Sequence, residues 1–202
     1  MNSDDKKIKI LETAKRRFSH YGMAKTTMAE IAKDLSYSKA LLYYYFPDKN
    51  SLYIAVLELV GEELEEETLR AVKRLQSTEK AIDTILNKRM EFVTKYYYIL
   101  EYTMLMRKSM SSNIDPTLAK GVEKQREIIE KVFAEGVERG ELLPMDCAEI
   151  ARIFLFATFG MRMLAVKDLK QDFIPDKEEF DRILCYQKKL AKIFIRGLKK
   201  ED

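Results

Sequence analysis

Two dozen residues from Thr26 to Lys49, reading TTMAEIAKDLSYSKALLYYYFPDK, restrict the possible folds of this chain more than any other stretch. They hold two short helical patterns around a three-residue break. In the first, the Thr27 hydroxyl is placed to accept the backbone N–H of Glu30 while the Glu30 carboxylate reaches back, a reciprocal capping box. Met28, Ile31, Ala32 and Leu35 then recur at three- and four-residue spacings and make one buried face. Leu35-Ser36-Tyr37 interrupts the pattern, and Ser38 caps a second helix expected over residues 39–45. A turn this short forces two helices to cross steeply, the helix-turn-helix shape that enters a DNA major groove.

The second helix is rich in phenols. Tyr37, Tyr43, Tyr44, Tyr45 and Phe46 crowd together, with Lys39 in front and Lys49 just beyond. Leu42 and Phe46, four residues apart, supply the inward stripe and leave several phenols outside. Exposed tyrosines beside lysines suit a phosphate backbone, because a phenol donates a hydrogen bond and its ring packs on sugars. Asp48 is placed to cap the next helix, which puts Lys49 in a first turn whose dipole also favours an anion. The competing reading is an aromatic-rich core helix; the basic surroundings argue for DNA.

At these residues the resemblance becomes specific. Thr26-Thr27-Met28, Ile31-Ala32, Ser38-Lys39-Ala40, Leu42-Tyr43-Tyr44-Tyr45-Phe46 and Lys49-x-x-Leu52 resemble the DNA-binding signature of the TetR family of bacterial repressors. Upstream, Ile10-Leu11-x-x-Ala14-x-x-x-Phe18-x-x-x-Gly22 is similar to that family's first helix. The likeness covers roughly residues 8–57. On the matching positions it implies DNA contacts from Thr26, Thr27, Ser38, Lys39, Ala40, Tyr43, Tyr44, Tyr45 and Lys49. One departure stands out: the family has Gly-Val in the turn, and Ser36-Tyr37 stands there instead. That turn is expected to be right-handed or mildly strained, and Tyr37 to add a contact that valine would not make.

Composition narrows the function. The chain has 202 residues, 47% hydrophobic and 34% charged, with seven glycines and four prolines, which suits a helical soluble protein. No apolar run reaches the roughly 18 residues that span a bilayer, and the opening MNSDDKK leads into no signal-type hydrophobic region. A cytoplasmic protein without membrane partners is expected. Cys147 and Cys185 are too far apart for a metal pair and read as small core residues. Residues 1–50 hold ten Lys and Arg against six Asp and Glu, so the basic excess sits with the proposed DNA-reading segment. His20, the single histidine, falls near a helix end and reads as a surface residue. There is no Ser/His/Asp set, no HExxH, no phosphate loop and no cysteine pair, so neither an enzyme nor a metal or cofactor is expected.

The rest reads as all-α, about nine helices, with a three-helix DNA-binding domain over 1–50 and a helical regulatory and dimerisation domain over 51–202. Ile8, Leu11, Ala14 and Phe18 form the expected inward stripe of the first helix, closed by Gly22. One unbroken helix is expected over 48–76, long enough to act as a rod, with Glu62 to Glu67 a solvated face. Thr78 is expected to cap the next helix, and aromatic and methionine residues dominate to Met110, before a stop at Ser111-Ser112-Asn113. Asp115-Pro116 opens another helix, Asp146 with Glu149 the next over 148–166, and Asp176 the last, after a loop at 168–176. Helix 148–166 is apolar nearly all round, so a partner helix is expected.

The resemblance implies a four-helix dimer interface from the last two helices, with Phe154, Thr158, Met161, Ile183, Gln187, Leu190 and Phe194 as its candidates. It also implies an inducer pocket in the body, for which Phe92, Tyr96, Tyr102, Met106, Phe133, Phe156 and Met163 are the adaptable apolar candidates, with core packing the leading alternative for any one of them. A flat or apolar ligand fits them, and a strongly acidic one does not, since Arg89, Glu101, Arg107 and Arg162 read as scattered charges. The expected partners are therefore a double-stranded DNA operator, a second copy of the chain, and a small apolar or aromatic ligand. The alternative is a ligandless DNA-organising factor with the same head.

Overall fold

The computed structural model describes residues 3–101, 116–167 and 177–199. The expectations for Tyr102, Met106, the stop at 111–113, the Asp115 cap, the loop at 168–176 and the Asp176 cap lie outside these residues. The same holds for the Met163 side chain. The described residues form α1 (Ser3–Lys25), α2 (Met28–Asp34), α3 (Lys39–Tyr45), α4 (Lys49–Val72), α5 (Thr78–Lys95), α6 (Pro116–Glu138), α7 (Cys147–Lys167) and α8 (Lys177–Leu198). A further helical stretch begins after Tyr96. No strand occurs among them, only an isolated antiparallel bridge between Leu142 and Lys199. The fold is all-α.

Two compact units divide the chain: Met1–Glu63 with Phe92–Gly121, and Leu64–Glu91 with Val122–Asp202. The expected boundary at residue 50 is not where the packing divides. α4 carries the first unit's core onward through Leu52, Val56 and Val60.

In the first unit α1 buries Ile10, Ala14 and Phe18, each a little more than one turn after the last. Ile8 is 58% exposed, which corrects the expected stripe. Two residues before Ile10, it is rotated by about 200° on a 3.6-residue helix. Gly22 breaks α1 with φ 77 and ψ 166, a backbone that essentially only glycine takes. Phe18 meets the edge of Tyr53, and the Tyr53 hydroxyl donates to the Ile99 carbonyl. The acidic run is more than a solvated face. Glu63 accepts from the Lys15 ammonium and the Tyr96 hydroxyl, and in the second unit Glu65 pairs with Lys124.

The second unit packs Ile82, Ile85 and Leu86 of α5, Ile129 and Phe133 of α6, Phe154 and Leu155 of α7, and Ile195 of α8. Phe154 lies 6.0 Å from the Phe133 ring centre and 5.3 Å from that of Phe194. α5 is capped by Ser77, not Thr78: the Lys80 N–H turns to the Ser77 hydroxyl. Thr78 is the buried first residue of the helix, and its N–H goes to the Glu141 carboxylate at 2.9 Å. Gly140 (φ 73) closes α6, with Glu141 N–H on the Gly136 carbonyl and Gly140 N–H on that of Val137, a Schellman ending. At Gly136 a Cβ would collide with the Thr78 hydroxyl and come within 3.0 Å of Leu142.

Candidate nucleic-acid interface

The helix-turn-helix forms through local hydrogen bonds. Glu30 N–H donates to the Thr27 hydroxyl at 3.2 Å, and the Thr27 N–H returns to the Glu30 carboxylate at 2.8 Å. The Thr27 hydroxyl also donates to that carboxylate at 2.7 Å, and this bond and the one from the Thr27 N–H, helped by Arg17 nearby, hold the Glu30 carboxyl below its ordinary range. α2 ends in a second Schellman closure: Ser36 N–H reaches the Lys33 carbonyl and Tyr37 N–H the Ala32 carbonyl. Ser36 takes the position usually given to glycine, at φ 54. The turn is therefore left-handed, and of the two expected outcomes the strained one holds. Ser38 then caps α3 through the Leu41 N–H at 3.1 Å. On the other side, Arg17 of α1 grips Asp34 with two parallel bonds of 2.6 and 2.8 Å, which holds the Asp34 carboxyl low.

Placed this way, the ten candidate contacts separate. Lys39, Ala40, Tyr43 and Tyr44 are exposed and lie at spacings of one, four and five residues, a single face of α3. Tyr44 is the most open, at 79% exposure, and Tyr45 meets it edge-on at 5.3 Å while packing partly on the core. Ser38 and Thr27 are exposed at the two N-termini, where both hydroxyls already serve as caps.

The remaining three face elsewhere. Thr26 is buried, its hydroxyl donating to the Gly22 carbonyl left free by the break in α1. Tyr37 is packed against the core, as the residue after a Schellman turn commonly is, and its hydroxyl is buried with no partner. Lys49 donates to the carbonyls of Met23 at 2.9 Å and Thr26 at 3.0 Å, so it ties the end of α1 to the start of α4 instead of standing ready for phosphate.

The interface candidates separate in the same way. Phe154, Thr158, Ile183 and Gln187 are buried within one chain, and the Gln187 amide donates to the Thr158 carbonyl at 2.8 Å, joining α7 to α8. Phe194 packs on the same core; Met161 and Leu190 are half-buried. The outward apolar residues are Ile153 and Phe156 on α7 and Tyr186 and Ile193 on α8, between 48% and 70% exposed. They lie off the inward positions Phe180, Ile183, Gln187, Ala191 and Ile195, a phase that the α8 sequence already carries. Of the ligand candidates, Phe92 and Tyr96 belong to the first unit's core and Phe133 to the second's. Phe156, 62% exposed, faces outward and lines no interior.

Among the described residues no group of three or more His, Cys, Asp or Glu is placed to hold a metal, and no helix is long and apolar enough to cross a membrane.

The family described as bacterial regulatory proteins, tetR family, matches residues 10–56. Along nearly its whole length the chain is similar to the HTH-type transcriptional regulator QacR of Staphylococcus aureus (strain Mu50 / ATCC 700699). Identity is 25% over 197 residues, covering 96% of this chain and 98% of the relative. A transcriptional regulator from Cytophaga hutchinsonii ATCC 33406 shares the fold with a TM-score of 0.78 at 26% identity, over 95% of this chain and 97% of that one. AibR, solved in complex with isovaleryl coenzyme A and operator DNA, gives a TM-score of 0.57 at 22% identity, over 91% and 96% of the two chains.

Proposed function

Because the chain belongs to the TetR family of bacterial transcriptional regulators, we propose that it is a cytoplasmic repressor that grips a pseudo-palindromic operator as a homodimer and releases it when a small molecule fills its body. The exposed face of Lys39, Ala40, Tyr43 and Tyr44 on a capped α3 carries the reading. Such a face offers a cation and two phenols to a groove and its flanking phosphates, on a helix of 7 residues held at both ends. The AibR complex, with operator DNA and an acyl coenzyme A, supports a fold that takes both kinds of partner. α4, continuous from Lys49 to Val72, gives the two units one shared element along which a displacement can pass. A ligand shifts the DNA-bound state only through a difference in affinity between two conformations.

The test is selection of duplexes from random DNA fragments, followed by titration at several salt concentrations. The selected site is expected to be a two-fold repeat with half-sites about one DNA turn apart or a multiple of it. Lys39→Ala should weaken binding and lower the slope of log K against log salt by roughly 1. Tyr44→Ala should weaken binding and leave the slope unchanged, since a phenol releases no counterion. Failure to enrich any sequence, or a Lys39→Ala protein with the parent's affinity and slope, overturns the reading.

A further inference from the structure

Arg89 of α5 and Arg162 of α7 stand against one aromatic ring. Their guanidinium carbons lie 4.6 and 5.0 Å from the centre of Phe159. Arg89 is 8% exposed, and its Nη1 donates to the Thr158 hydroxyl at 3.3 Å. That hydroxyl is itself turned towards the Phe154 and Leu155 carbonyls. The Nε of Arg162 is sealed from solvent with no hydrogen-bond partner. Among the described residues neither arginine has a carboxylate within ion-pair reach; the charge that bears on Arg89 is Arg162. Burial pulls both guanidiniums below their ordinary range, to about 9 for Arg89, where the second arginine adds to the effect, and to about 10 for Arg162.

Stability gives little reason to hold Arg89 in the core with the half-buried Arg162 beside it. Arginine keeps its charge at neutral pH, leaving water is costly for any ion, and an apolar side chain of similar size commonly packs as well or better. The face of a single phenyl ring offsets only a small part of that cost. A counter-charge brought from outside would offset far more, and a guanidinium's planar fork suits an oxyanion.

We propose that Arg89 and Arg162 form the head-group site for a small organic anion, a carboxylate or phosphate on an apolar body that packs against Phe159. This rests on the ligand-responsive reading above and replaces the small apolar or aromatic ligand expected from the sequence. There the two arginines, 73 positions apart, read as scattered charges.

Calorimetry on the full chain compares octanoate, octyl phosphate, octan-1-ol and octylammonium, which share a tail and differ in the head. At least one of the two anions should bind about tenfold or more tighter than the alcohol and the ammonium; the preferred anion separates carboxylate from phosphate. Arg89→Met and Arg162→Met should each abolish that preference while octanol binding persists. Neither should lower the melting temperature of the ligand-free protein, because an unpaired charge has been removed. Should one variant fail to fold, the other and the ranking of heads on the parent protein still decide. Equal binding of all four heads, binding of none, or an anion preference that survives both substitutions overturns the proposal. DNA affinity is followed separately on the selected duplex. An anion that binds through the arginines but leaves DNA affinity unchanged keeps the site and removes the ligand-release reading.

Discussion

Ser36 holds its backbone at φ 54, a left-handed conformation that costs a residue with a Cβ roughly 1–2 kcal/mol. The turn demands it, because only this bend lets the N–H groups of Ser36 and Tyr37 close on the last carbonyls of α2. Glycine adopts the same bend freely but loses more chain entropy on folding. Ser36→Gly is therefore expected to stabilise the protein by about 0.5–1 kcal/mol, seen as a higher urea midpoint at unchanged slope. A lower midpoint would mean that the serine hydroxyl supports the turn, and the strain account would fail. At this scale the sequence is legible where partners are close. The caps at Thr27, Ser38, Asp48 and Asp146 each bond within three residues and are readable from spacing alone. Spacing misplaces Thr26, Tyr37 and Lys49 because what buries or engages them lies at a helix break, in a core, or 26 residues away.

Among elements, α1 and α4 meet through Lys15 and Glu63, with the Tyr96 hydroxyl completing the group. Burial alone would raise the Glu63 carboxyl, but the hydrogen bonds from Lys15 and Tyr96 outweigh it and hold the carboxyl below its ordinary 4.5. A carboxylate lowered in the folded state adds stability above its unfolded value, and that stability is lost as pH falls through the folded one. The parent protein should thus lose urea resistance as pH falls below about 5, and Glu63→Gln should lose less. At pH 7 the variant should be weaker by about 1 kcal/mol, as the pair is partly exposed. Parallel acid profiles for the two proteins would remove Glu63 from the account. The acidic run reads as solvated in the sequence because helical spacing fixes a face but not what that face meets. Ile8 shows the same limit: spacing assigns four apolar residues to one stripe, and the packed register chooses Ile10 over Ile8.

For the whole molecule, the helices that close the chain keep an apolar outer face after the core is complete. Phe156 and Ile193 are 62% and 70% exposed on α7 and α8. A second copy is expected to cover this face, so the protein should sediment as a dimer in solution. Phe156→Glu or Ile193→Glu, burying an unpaired charge there at a cost of several kcal/mol, should leave a folded monomer by sedimentation velocity. Phe154→Ala should act differently, costing about 3–5 kcal/mol of folding stability through the cavity it opens beside Phe133 and Phe194. A parent protein that sediments as a monomer would end the dimer assignment. That α7 is apolar nearly all round is legible in its composition; which residues face outward is not, since both its faces are apolar and only packing against α8 separates them. Gly136 has a consequence of another kind. A helix interior ordinarily prefers alanine by up to about 1 kcal/mol, yet here even a methyl group would strike Thr78 and Leu142. Descendants of this gene can therefore vary at Gly61 and Gly121, which face open space, while position 136 stays closed to drift until residue 78 or 142 changes with it.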